Sequence, residues 1–137
     1  MNINGGKMKI LVGYDGSNVS REALDTALKH AKAFNIGIYV ITSMSGGDIS
    51  KVAEIEKAEQ KLEYIKEVAA KADIPCETHL LIRGASPAED LVRFAKEHPV
   101  EEIVIGVKRR SKVGKVVFGS TAQYVILKAP CPVVSVK

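Results

Sequence analysis

Met8-Lys9-Ile10-Leu11-Val12-Gly13-Tyr14, running straight into Asp15-Gly16-Ser17, is the stretch on which the fold reading turns. A short apolar run halted by an Asp-Gly turn pair reads as a buried strand. Ser17 is then available to cap a helix, and Ala23, Leu24, Ala27, Leu28 and Ala31 follow at helical spacing. A buried strand delivered directly into an amphipathic helix is the opening of an α/β unit.

The same alternation continues outward from this start. Ile36 to Ser43 is rich in β-formers and stops before Gly46-Gly47. Val52, Ile55, Leu62, Ile65 and Val68 mark one buried face of a long, charged helix over 51–72. Cys76 to Arg83 reads as a third strand ended by Gly84, and Ser86-Pro87-Ala88-Glu89 is a strong helix start. That helix buries Leu91, Val92 and Ala95 and stops before Pro99. Glu101 to Gly106, with Ile103-Val104-Ile105 inside it, is the fourth strand. A basic loop follows, then a second capping-box pattern, Ser120-Thr121-Ala122-Gln123, opens a short helix through Val125, Ile126 and Leu127. Val133 to Val136 is the last strand. The order βαβαβαβαβ predicts a single α/β domain over 8–137, a parallel sheet with helices on both faces, behind a flexible tail at 1–7. Residues 45–50 also read as loose. In such sheets, ligands sit beyond the carboxyl ends of the strands, where the strand order reverses.

The chain has 137 residues, 46% of them hydrophobic and 26% charged, which fits one globular domain. It contains no apolar run near the roughly 18 residues needed to cross a bilayer, and the first residues lack the apolar core of a secretory signal. The expectation is a cytoplasmic protein. Cys76 and Cys131 form neither a disulfide framework nor a metal motif and read as small apolar fillers. The net charge is +4, but five of the 20 Lys and Arg residues (Lys108, Arg109, Arg110, Lys112 and Lys115) fall in one short loop. The remaining 15 basic residues face 16 acidic ones. Such a local cluster suits a compact anion, and with no aromatic platform among those cations a nucleic-acid surface ranks last.

The residues just after the strands carry the functional reading. Gly13-Tyr14-Asp15 follows the first strand and Gly106-Val107-Lys108-Arg109 the fourth. If those strands are neighbours, Asp15 faces the second loop and is placed to accept from ribose hydroxyls; its plainer reading is a turn aspartate. Gly119-Ser120 opens a helix whose free N–H groups and positive end suit an anion, although a serine there is also accounted for by capping alone. No G-x-G-x-x-G follows the first strand, and Gly114-Lys115-Val116 lacks both the first glycine and the hydroxyl of a P-loop. His30, His79 and His98 are not spaced as metal ligands, and the Glu-rich helix reads as a solvated face. No catalytic set emerges: Asp15 is the one candidate general base, so at most slow ATP hydrolysis is expected.

Taken together, Ile10-Leu11-Val12-Gly13-Tyr14-Asp15-Gly16-Ser17, Ile103-Val104-Ile105-Gly106, Phe118-Gly119-Ser120-Thr121-Ala122-Gln123 and Pro130-Cys131-Pro132-Val133-Val134-Ser135-Val136 resemble the universal stress protein family. The likeness runs from Lys9 to Lys137. It implies a five-stranded parallel sheet in the order 3-2-1-4-5, a stress-response or regulatory role, and a homodimer formed through the last strand at Val133, Val134 and Val136. The two cysteines would then lie at opposite edges of the sheet. It also implies a site for ATP or a related adenine nucleotide. Asp15 would meet the ribose, Ile41, Thr42 and Ser43 would flank the adenine, and Gly106, Val107, Gly119, Ser120 and Thr121 would surround ribose and phosphates. Gly106, Gly119 and Ser120 match the glycine pattern of the ATP-binding branch, but Arg109 stands where that pattern has its second glycine. Two outcomes stay open: Arg109 clamps the phosphates alongside Lys108, Arg110, Lys112 and Lys115, or it fills the site and leaves a dimeric adaptor that binds no nucleotide. Whether Mg²⁺ takes part is open as well.

Overall fold

A computed structural model of the chain describes residues 7–44, 52–82, 86–107, 110–112, 115–117 and 119–137. The expected flexible tail and the loose stretch at 45–50 lie outside the described residues, apart from Lys7. Five parallel strands form the sheet: β1 (Lys9–Gly13), β2 (Ile38–Met44), β3 (Cys76–Ile82), β4 (Val100–Gly106) and β7 (Val133–Val136). Their spatial order is β3-β2-β1-β4-β7, as the sequence led us to expect. The chain builds outward from β1 in one direction through β2 and β3. It then returns to the other side of β1 for β4 and β7, so the strand order reverses between β1 and β4.

Four helices cover the sheet: α1 (Asn18–Phe34), α2 (Val52–Lys71), α3 (Pro87–Glu97) and α4 (Ser120–Lys128). Because strand side chains alternate between faces, β1 feeds two cores. Ile10 and Val12 pack with Ala23, Leu24 and Ala27 of α1 and Leu62 and Ile65 of α2. Leu11, between them, packs on the other side with Leu91, Val92 and Phe94 of α3 and Val125 of α4. All three β1 residues are fully buried, each contributing about 1.5–3 kcal/mol of burial free energy. The central strand is therefore apolar without a break, the pattern of a strand covered on both faces.

The helix ends follow the local chemistry closely at two places. Ser17 caps α1 by accepting from the Ser20 N–H at 3.3 Å. Ser86 and Glu89 close α3 with a reciprocal capping box, and Pro87 occupies the first turn. The basic segment differs from its reading as a plain loop. Arg110–Lys112 (β5) and Lys115–Val117 (β6) pair antiparallel, Arg110 with Val117 and Lys112 with Lys115. The hairpin stands apart from the five-stranded sheet.

Candidate functional site

Val12 of β1 pairs with Val104 of β4, so the two strands end side by side at the reversal point. A cavity of about 270 Å³ opens there, near the lower end of the range for small-molecule pockets, roughly 300–1,000 Å³. The loop after β1 supplies Gly13, Tyr14, Asp15 and Ser17. Ile41 and Ser43 come from β2, Ile105 and Gly106 from β4, and Gly119, Ser120, Thr121 and Ala122 from the start of α4. Val19, Pro87 and Leu91 add to the apolar wall. The first-strand loop, the fourth-strand end and the α4 start thus meet at one site.

Asp15 is held by local bonds. Its Oδ1 accepts from the Ser17 N–H at 2.9 Å, while its own N–H donates to Ser20 Oγ at 3.4 Å. Ser20 Oγ in turn donates to the Ser17 carbonyl at 2.9 Å. Gly16 turns the loop with φ of +85°, a conformation that costs other residues energy. A Cβ at this position would stand 3.1 Å from the Lys61 ammonium. Lys61 therefore brings a cation to the loop from α2, and no local motif in the Glu-rich helix marks it.

The two motif glycines have opposite surroundings. At Gly106 a Cβ would lie 2.6 Å from the carbonyl carbon and oxygen of Val19, in the backbone of α1. At Gly119 it would meet nothing within 4 Å, and the backbone there (φ −67°, ψ 161°) suits any residue. Gly119, and not Ser120, is the N-cap of α4, and it makes no side-chain capping bond. The expected capping box at Ser120 is thus corrected: the helix begins one residue earlier, with Gln123 N–H donating to the Gly119 carbonyl at 3.1 Å. Ser120 and Thr121 are exposed in the first turn.

Two of the sequence candidates do not line the cavity. Thr42 donates its hydroxyl to the Tyr14 carbonyl at 2.9 Å, a tie between β2 and the site loop. Val107 is buried on the α3–α4 side, its N–H donating to Val136 at 2.7 Å. Lys108 and Arg109 lie outside the described residues, and Arg110, Lys112 and Lys115 fall on the hairpin strands. A residue that the sequence reading passed over, Asp90, is bonded to one of the cavity's lining residues. Ser43 donates to Oδ2 of Asp90 at 2.5 Å, and Asp90, on α3, is only 1% exposed.

The three histidines have partners away from the cavity. His30 Nδ1 meets Glu102 at 2.5 Å, His79 Nε2 meets Glu77 at 3.2 Å, and His98 Nδ1 meets the Phe94 carbonyl at 3.0 Å. The fold brings the His79 and His98 rings within 6.3 Å of each other, although their sequence spacing gives no hint of it. Among the described residues no group of three or more His, Cys, Asp and Glu could hold a metal ion. Both cysteines are free, and burial pushes the Cys76 thiol up to about 11 and raises that of Cys131 too.

The model of the universal stress protein family matches residues 7–137. The chain belongs to the universal stress protein family. It is 30% identical to a universal stress protein of Methanocaldococcus jannaschii, over 94% of this chain and 81% of the relative. A universal stress protein structure from Archaeoglobus fulgidus superposes with a TM-score of 0.83 at 38% identity, covering 95% of this chain and 98% of its own. A second, from the same organism, was solved in complex with dAMP. It matches with a TM-score of 0.80 at 34% identity, covering 96% and 99%. Within this universal stress protein fold, no helix among the described residues is long and apolar enough to cross a membrane.

Proposed function

We propose that this universal stress protein binds an adenine nucleotide (AMP, ADP or ATP) in the crevice between β1 and β4 and works as a regulatory or stress-response module. The observation that carries the reading is the start of α4 at Gly119, without a side-chain cap, lining the same cavity as the Asp15 loop. Free N–H groups at a helix start, at the positive end of its dipole, bind a phosphate well. Asp15 is an acceptor for ribose hydroxyls, and Ile41, Pro87 and Leu91 form a wall for a base. The dAMP complex of the Archaeoglobus fulgidus relative supports the same class of ligand.

The test begins with purified protein. Denaturation should release material absorbing near 260 nm, against the low background of a chain without Trp. Calorimetric titration with ATP, with and without Mg²⁺, should show heat of binding. If neither appears, the reading fails and the nucleotide-free adaptor takes its place. An Arg109→Gly variant separates the two roles of that side chain: gained ATP binding marks a plug, lost binding a clamp.

The same reading includes a homodimer through β7. Among the described residues β7 is paired on one side only, with β4, and Val133, Val134 and Val136 along it are half-buried. An apolar edge strand invites pairing. Light scattering at tens of micromolar should give twice the 14.8 kDa chain mass; a monomeric mass overturns it. Two unpaired, half-buried thiols suit a reducing compartment, which supports a cytoplasmic setting.

A further inference from the structure

We infer that Lys61 of α2 belongs to the nucleotide site and weights it toward ligands with more phosphate charge, an assignment that rests on the nucleotide reading and deepens it. The loop after β1 reaches the cavity through Asp15 and Ser17. Neither Gly16, between them, nor Lys61 is part of the cavity wall. A Cβ at Gly16 would nevertheless stand 3.1 Å from Lys61 Nζ, so the ammonium meets this turn from outside the cavity. Its place on α2 explains why it reaches there. Three and four residues away along the helix are Lys57, Ala58, Tyr64 and Ile65, none of them acidic, although α2 also carries Glu54, Glu56, Glu59, Glu63 and Glu67. Those spacings are the ones at which a helical lysine finds a partner, and Lys57 at one of them repels it. None of the ion pairs among the described residues includes Lys61.

A cation in this place answers a conflict within the site. Asp15 brings a carboxylate to a cavity whose proposed ligand carries a phosphate, and like charges so close together repel. The backbone relieves part of this, since the Ser17 N–H donates to Asp15 Oδ1 at 2.9 Å. The helix starts relieve more. α1 and α4 both begin at the cavity, and neither has an acidic residue in its first turn, whereas α3 opens with Glu89 and Asp90. A helix start without an acid keeps the positive end of its dipole for the group in front of it. Lys61 adds a full unit charge to these two partial ones, against the residue next to Asp15. It acts through its field and not by contact, so its effect grows with the negative charge on the ligand and fades with salt. A residue that only pinned the turn would act at the ribose and treat adenosine, AMP and ATP alike.

Titration calorimetry with adenosine, AMP and Mg²⁺-free ATP, on wild type, Lys61→Gln, Lys61→Arg and Lys71→Gln, tests this. At low salt Lys61→Gln should leave adenosine within about twofold of wild type, weaken AMP about threefold and weaken ATP about tenfold. In about 0.5 M salt this graded loss should shrink toward nothing. Lys61→Arg keeps the charge and should bind like wild type. Lys71→Gln removes the same charge about 15 Å further along the helix and should leave all three affinities within about twofold. Both lysines are exposed, so every variant should melt with the wild type. Where adenosine binds too weakly to titrate, AMP against ATP carries the comparison. An equal loss for every ligand, no loss for ATP, a graded loss that survives salt, or one that Lys71→Gln reproduces overturns the assignment and leaves the nucleotide reading intact. If wild type binds none of the three, the functional reading fails and takes this assignment with it.

Discussion

Gly106 and Gly119 line one crevice, and both are positions that match the glycine pattern of the ATP-binding branch in the sequence reading. Their reasons for being glycine differ. Gly106 is pressed against the backbone of α1, where a Cβ would come within 2.6 Å of the Val19 carbonyl. Gly119 has an ordinary backbone conformation and open space around its Cα. The fold explains the first and leaves the second unexplained, and an unexplained glycine beside a cavity is where a ligand is expected. The contrast predicts that the two positions fail in different assays. Gly106→Ala should destabilise the protein by about 3 kcal/mol, because a helix backbone yields less readily than a side chain. For a chain of this size that corresponds to a loss of about 10 °C in melting temperature. A shift below about 2 °C would mean that α1 moves freely and that packing does not dictate this glycine.

Gly119→Ser attacks the other half of the contrast by giving α4 the cap that α1 and α3 already have. Serine is a slightly better N-cap than glycine, so stability should hold or rise by a few tenths of a kcal/mol. The added hydroxyl would engage N–H groups of the first turn and crowd the approach of an anion. A hydrogen bond to a charged group is worth roughly 1.5–3 kcal/mol, so AMP affinity should fall about tenfold or more. Calorimetry beside a melting curve separates the two effects. Lower stability with unchanged affinity would return Gly119 to the fold.

The same split between fold and site governs how much the sequence disclosed. The five sheet strands and four helices were legible because their apolar periodicity is strong and their turns are punctuated by Gly, Pro and capping residues. Ser86-Pro87-Ala88-Glu89 was read correctly since its whole signal is local. The β5–β6 hairpin was missed because Arg110-Ser111-Lys112 shows no alternation of apolar residues. At the end of β2 the uncertainty was one residue, and in a strand one residue changes the face. Ser43 lines the cavity while Thr42 ties down Tyr14. Lys61 and Asp90 escaped notice for a different reason. Each is far in sequence from the groups it meets, and only the folded chain brings Lys61 to Gly16 or Asp90 to Ser43.

The smallest effect is the sharpest check on the open start of α4. Ser86 and Ser120 occupy similar local sequence patterns, each serine three residues before Glu89 or Gln123. Ser86 Oγ accepts from the Glu89 N–H at 3.2 Å, and Glu89 reaches back to the Ser86 N–H at 3.3 Å. Ser120 lies one residue inside its helix, past the N-cap. Ser86→Ala should therefore cost about 1 kcal/mol in urea unfolding, the usual value of a lost cap. Ser120→Ala should change stability by no more than a few tenths, while weakening AMP binding a few-fold if its hydroxyl donates to the phosphate. Equal losses of stability in the two variants would show that Ser120 does cap α4. The N–H groups assigned to a phosphate would then already be engaged by the protein itself, and Gly119 would need another explanation.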